Sequence, residues 1–262
     1  MRFSALSFVR ISRLALTLGL AASAALGASP RPAIAEIRNI VLVHGAFADA
    51  SSWSSVIAQL QDKGYHVTAV QNPLTSLADD VAATRRVLER QQGDVILVGH
   101  SWAGAVVTQA GNAPNVKGIV YLSALVPDSG ESVADLLQKR DAPMDGMKPD
   151  ANGLVWLDDP AAYAQVMAAD LPLAQVKLLA ATQQPIAAAA FADKISHAAW
   201  QDKPTWYVVT LDDNALPPAV QQWTVQHIGA RSITLKSSHM SLLSHASDVV
   251  GVIETAAREA GH

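Results

Sequence analysis

Two rhythms of hydrophobic and polar positions alternate along this chain. Residues 40–43, 95–98 and 119–122 are short unbroken apolar runs bounded by glycine or polar residues, the pattern of strands covered on both faces of a sheet. Residues 66–70, 205–210 and 232–235 mix β-branched with polar residues and add further strands. Between these runs the apolar positions change to helical spacing. Ser51 or Ser52 stands where it would cap a helix reaching about Gln61 and ended by Gly64. Ser76 precedes Leu77, Val81, Thr84 and Leu88, which share one helical face ahead of Gly93. Pro217 and Pro218 open another helix to about His227, and a last one runs from about Ser247 to Ala260. Strands that alternate with helices are joined by crossovers. The pattern therefore predicts an α/β chain with a mostly parallel sheet of about six strands flanked by helices.

The alternation breaks between about 125 and 204. This stretch is rich in alanine and leucine and carries Pro127, Pro143, Pro149, Pro160, Pro172 and Pro185, so it reads as a helical cap inserted over the sheet edge. Asp158 or Asp159 before Pro160, and Asp170 before Pro172, are placed as helix-starting residues. Met144, Met147, Trp156, Met167 and Phe191 are available to line an apolar pocket under the cap, with two or three of them expected at the substrate.

Composition narrows the class. Of 262 residues, 50% are hydrophobic and 16% charged, which suits one compact domain with a large core. Arg2, Arg10 and Arg13 precede an apolar run from Leu14 to Gly27, and Ala33-Ile34-Ala35 supplies an A-x-A cleavage site before Glu36. Residues 1–35 thus read as a secretory signal peptide, leaving a domain at 36–262 exported to the periplasm or the medium. The apolar run is short of the roughly 20 residues that span a bilayer, so no stable membrane association is expected. Cleavage removes only basic charge and leaves a chain more acidic than the net −4 of the whole, which argues against a nucleic-acid partner. With no cysteine there is no disulfide framework and no thiolate metal site. Oligomeric state is not written in any of these features.

The candidate chemistry lies at the junction Gly99-His100-Ser101-Trp102-Ala103-Gly104, between a buried apolar run and a small-residue helix. Residues two before and two after a serine in such a strand–turn–helix corner face each other across the turn, so both must be small. Gly99 and Ala103 meet that condition, a near match to G-x-S-x-G. A nucleotide-binding turn is the competing reading, but neither G-x-G-x-x-G nor a P-loop occurs. A serine hydroxyl needs a base, and the base needs an orienting carboxylate. His239 follows the last strand in a loop of small residues, and Asp213 follows the strand before it, with Asp212 and Asp128 as rivals for the acid. Asp212, one residue earlier in extended chain, should project to the opposite side. The loop His44-Gly45-Ala46-Phe47 leaves the first strand at the same edge. Its backbone N–H groups, Ala46 first and Phe47 second, would form an oxyanion hole with that of Trp102. His239 and His245 do not read as a metal pair, because no third ligand accompanies them.

These pieces, together with Val41 to Asp49, Pro204 to Val209 and Ser238-His239-Met240-Ser241, resemble small bacterial α/β-hydrolases similar to plant methyl esterases and hydroxynitrile lyases. The resemblance implies the α/β-hydrolase fold, with Ser101 as nucleophile, His239 as base, Asp213 as acid, and Ala46 with Trp102 as oxyanion donors. It implies a serine esterase acting through an acyl-enzyme on a small or medium hydrophobic ester, with Phe47, Trp102 and Met240 touching the substrate and no cofactor. Cyanohydrin cleavage on the same triad is the alternative. For that chemistry the resemblance implies a lysine near the triad and a hydroxylated residue where Gly45 stands here, and Gly45 argues against it.

Overall fold

Six parallel strands build the sheet: β1 (Asn39–Val43), β2 (His66–Val70), β3 (Val95–His100), β4 (Val116–Leu122), and, beyond the cap, β7 (Thr205–Thr210) and β8 (Arg231–Leu235). The order across the sheet is β2-β1-β3-β4-β7-β8. In this computed structural model residues 36–142 and 147–261 are described; the signal peptide expected at 1–35, and Met144, lie outside them.

The chain steps outward from β1 to β2 and returns to β3 on the other side of β1. The direction of winding therefore reverses between β1 and β3, and in open parallel sheets this is where a crevice forms at the carboxyl ends. Val43 pairs with Gly99 across that junction, so the two strands release His44-Gly45 and His100-Ser101 side by side. β3 is buried at every position, which accounts for its lack of polar alternation. β8 is the edge strand and leaves Arg231, Ser232, Ile233 and Thr234 exposed.

On the helical layers, α1 (Ser54–Asp62) packs with the closing helix, and α2 (Leu77–Glu89) with α3 (Ala103–Ala110). Ser76 caps α2 through the Asp79 amide, as its position predicts. The start of α1 differs from expectation. Asp49, rather than Ser51 or Ser52, accepts the Ser51 amide and caps a 3-10 turn, Ala50–Trp53, that leads into the helix.

The segment from 125 to 204 is not purely helical. It holds α4 (Val133–Lys139), α5 (Pro160–Val166) and α6 (Leu173–Thr182), but also β5 (Leu154–Val155) and β6 (Ile186–Ala187), which pair antiparallel. Two-residue strands are too short to show a period of two. Asp159 caps α5 at the Ala162 amide, as expected. Asp170 does not cap α6, whose preceding residue is Pro172 with no side-chain cap; its carboxylate serves elsewhere. The chain closes with α7 (Pro218–Ile228), the short α8 (Ser241–Ser244) and α9 (Ala246–Glu259), which lies against β3, β4 and β7. Among the described residues no helix is long and apolar enough to cross a membrane.

Candidate active site

At the end of β3 the chain turns so sharply that Ser101 takes φ 55°, in the left-handed region that a side chain normally avoids. Its neighbours hold it there. The Ser101 N–H donates to Leu122 O at 3.0 Å, and its carbonyl accepts from Gly104 N at 2.9 Å and Leu125 N at 3.1 Å. A Cβ on Gly99 would lie 2.7 Å from Val107 Cγ2 and 2.8 Å from Ala103 O, so only glycine fits. The second close approach is displaced by one residue from the G-x-S-x-G pattern. A Cβ on Gly104 would stand 2.4 Å from Leu125 O, whereas the Ala103 methyl is fully buried without strain in φ.

The loop after β1 lies directly against this corner. A Cβ on Gly45 would be 2.7 Å from Ser101 Cβ. His44 locks the loop: its Nδ1 donates to Gly45 O at 2.9 Å, its Nε2 accepts the Asn72 N–H at 2.9 Å, and Asn72 Nδ2 donates to His44 O at 3.0 Å. Burial pushes its pKa down, which suits this neutral tautomer. Phe47 also has a positive φ, 57°, and its carbonyl accepts from the Tyr163 hydroxyl of α5 at 3.0 Å. Ala46 and Trp102 both line the cavity described below. Among the described residues neither of their backbone N–H groups donates to a protein acceptor.

β7 and β8 bring the other two groups together. Their ladder ends at Thr210 opposite Leu235, and the loops stay paired beyond it, with Leu211 N to Leu235 O at 2.9 Å and Asp212 N to Ser237 O at 3.0 Å. His239 Nδ1 then donates to Asp213 Oδ2 at 2.7 Å, with both side chains buried. The same oxygen accepts from Thr210 Oγ1 at 2.8 Å and Gln221 Nε2 at 2.9 Å, while Oδ1 accepts the Ala215 and Leu216 amides at 2.9 and 2.8 Å. Burial raises the Asp213 pKa, but the facing His239 and these donors outweigh it and hold the carboxyl below its ordinary range. Asp212 is exposed. Asp128 pairs with His227 Nε2, at 3.0 and 3.1 Å to its two oxygens, away from His239. His245 Nδ1 bonds Ser244 Oγ at 3.0 Å.

Sequence reasoning assigned His100 only to the turn, yet it supports His239 directly. Its Nε2 donates to His239 O at 2.9 Å, and the two rings stand 4.7 Å apart. Complete burial, with repulsion from His239 second, pushes the His100 pKa down to about 3, so the ring is neutral beside its neighbour. Asp170 reaches the same loop from the cap. It accepts the Ser238 N–H at 3.0 Å and the hydroxyls of Ser237 and Ser238, one residue before His239.

Ser101 and His239 share the wall of a cavity of about 520 Å³ between sheet and cap. Phe47, Trp102, Met147, Trp156, Met167 and Phe191 line it as well. Met240 does not. It is fully buried and absent from this wall, because the chain turns into α8 immediately after His239 and sends the next side chain into the core. The His239 Nε2 atom is buried without a hydrogen-bond partner among the described residues. A larger open groove of about 770 Å³ runs along α2, but none of these groups lines it.

Comparison with known proteins agrees with this architecture. The alpha/beta hydrolase family pattern matches residues 40–252. The chain is 27% identical over 245 residues to alpha/beta hydrolase nvfD of Aspergillus novofumigatus, covering 84% of this chain and 97% of that one. It is 27% identical over 214 residues to the putative chloroplastic methylesterase 11 of Arabidopsis thaliana, covering 71% and 55%. In structure it is similar to a pyrethroid hydrolase from Sphingobium faniae, with TM-score 0.72 at 20% identity, covering 85% and 98%. On its fold and its sequence match together, the chain belongs to the alpha/beta hydrolase family.

Proposed function

We propose that this protein is a serine carboxylic ester hydrolase that acts on small to medium hydrophobic esters through an acyl-enzyme. One observation carries the reading: His239 gives Nδ1 to the buried Asp213 and keeps Nε2 unpaired, while His239 and Ser101 line the same cavity. Asp213 fixes the tautomer with the proton on Nδ1, leaving Nε2 as the base. Nε2 takes the Ser101 proton as Oγ attacks the ester carbonyl, and the Ala46 and Trp102 amides receive the oxyanion. His239 then returns the proton to the departing alcohol. Water activated at the same Nε2 releases the acid and frees Ser101. The apolar lining favours esters with hydrocarbon on either side of the carbonyl, and the size of the cavity sets the upper limit. The relatives named as hydrolase and methylesterase support ester chemistry.

Of the two features that the resemblance implies for cyanohydrin cleavage, a lysine does line the cavity, Lys148, but the hydroxylated residue is missing. The position at which the resemblance implies a hydroxylated residue is Gly45, and a Cβ there would meet both Ser101 and the His100 carbonyl. We also infer export with cleavage after Ala35. Intact mass of material secreted by an exporting bacterial host should begin at Glu36; retention of Met1 on a membrane-bound product would contradict it. The esterase reading is tested by assaying p-nitrophenyl esters of graded acyl length, with Ser101→Ala as the control. It fails if no ester is turned over or if the variant retains activity.

A further inference from the structure

Asp80, in the first turn of α2, is a fully buried carboxylate that the ester chemistry does not use. No cation pairs with it among the described residues. Instead both oxygens accept from neutral donors, Oδ2 from Trp102 Nε1 at 2.7 Å and Oδ1 from Leu74 N at 2.8 Å. Burial raises its pKa to about 6, so only above that pH does the fold hold the carboxylate as an ion, at the cost of its desolvation.

The two contacts belong to one closed circuit. Leu74, held at φ 59°, accepts Ala187 N through its carbonyl at 2.9 Å and so anchors strand β6 of the cap. The chain continues from β6 into the 3-10 turn Ala188–Ala192, which carries Phe191. Phe191 returns to Trp102 edge to face, with ring centroids 5.2 Å apart. Trp102 and Phe191 both line the cavity beside Ser101. One carboxylate therefore fixes an indole on the sheet side and, through Leu74, the cap segment that supplies the opposing ring.

Resting on the esterase reading above, we propose that Asp80 is a specificity-determining positioning residue: it fixes the Trp102–Phe191 wall of the cavity and so selects which acyl or alcohol groups fit against Ser101. A carboxylate suits this place because both partners are donors. An asparagine in the same pose satisfies one of them and sets its own N–H₂ against the other.

The test uses Asp80→Asn and Trp102→Phe, singly and together, each checked by circular dichroism and thermal melting. On p-nitrophenyl acetate and hexanoate at pH 8, Asp80→Asn is expected to raise KM for the hexanoate at least about fivefold more than for the acetate. The double variant should lose less than the sum of the two single losses, since both changes break the Asp80–Trp102 hydrogen bond and only Asp80→Asn also reaches Leu74. In a Ser101→Ala background, affinity for the intact hexanoate is read without turnover and should fall by the same factor. Unchanged relative KM and unchanged affinity, or losses that add in the double variant, would overturn the proposal. If Asp80→Asn does not fold, the same hexanoate-to-acetate comparison is made with Asp80→Glu, which keeps the acceptor oxygens but displaces them; an unchanged ratio would overturn the proposal. Should the parent protein hydrolyse no ester, the esterase reading falls. The binding comparison then still decides the role of Asp80.

Discussion

Asp213 Oδ2 and His239 Nδ1 lie 2.7 Å apart, both buried, at the ends of two loops that remain backbone-paired past the last ladder position of β7 and β8. Asp213 is also held by two backbone amides and by Thr210 and Gln221, so its carboxylate has no freedom to seek another partner. Asp213→Asn preserves the shape but reverses one donor–acceptor relation at the imidazole. Turnover should fall on the order of 10⁴-fold while the protein stays folded. Asp212→Asn, at an exposed residue, and Asp128→Asn, in a pair with His227, should each change turnover by less than about threefold. Steady-state kinetics of the three variants checks this.

His100 predicts an acid limit to stability. Its ordinary pKa of 6.5 falls to about 3 in the fold, so between these values the unfolded chain binds a proton that the native protein refuses. Stability from this residue is present above pH 6.5 and is lost as pH falls toward 3. His100→Gln keeps a donor for the His239 carbonyl without titrating. Denaturant unfolding between pH 4.5 and 5.5 should show a slope of stability against pH that is less positive than the parent's by about 1.4 kcal/mol per pH unit. Identical slopes would contradict this.

Asp80 has the opposite sign. Its pKa rises from 3.8 to about 6, so the folded state holds a proton that the unfolded chain has released, and stability falls as pH increases across that window. By pH 7 the cost is complete, on the order of 3 kcal/mol. The stability of Asp80→Asn relative to the parent should therefore improve by about that amount between pH 3.5 and pH 7, as read by urea midpoints at both values.

Gly45 and Gly99 are set by space. Alanine at Gly45 brings a methyl to 2.7 Å from Ser101 Cβ and 2.9 Å from the His100 carbonyl, so the corner must move. A displacement of this kind at reacting groups costs on the order of 10² in turnover. Gly45→Ala should show that loss in kcat with a modest change in melting temperature. Gly99→Ala meets Val107 and the Ala103 carbonyl on the buried side and should lower the melting temperature more.

What the sequence made legible was local. Buried strands such as β3 announce themselves as unbroken apolar runs, and the serine corner by the small residues that the turn demands. The ends of β7 and β8 then placed Asp213 and His239 at one edge. Contacts without a local signature stayed hidden. Asp170 reads as a helix start because Pro172 follows it, but its partners stand 67 and 68 residues away. His100 meets His239 across 139 residues, and Asp80 meets Trp102 across 22. The β5–β6 pair has only two residues per strand, and the burial of Met240 depends on the direction in which α8 leaves the site.

The central claim, that Ser101 is an activated nucleophile, is tested most directly by a fluorophosphonate. Such a probe reacts quickly only with a serine that has a base and an oxyanion site. Intact mass should show one adduct per chain, peptide mapping should place it on Ser101, and Ser101→Ala should take none. An adduct that persists in Ser101→Ala, or a parent protein that stays unlabelled while folded, would contradict the account.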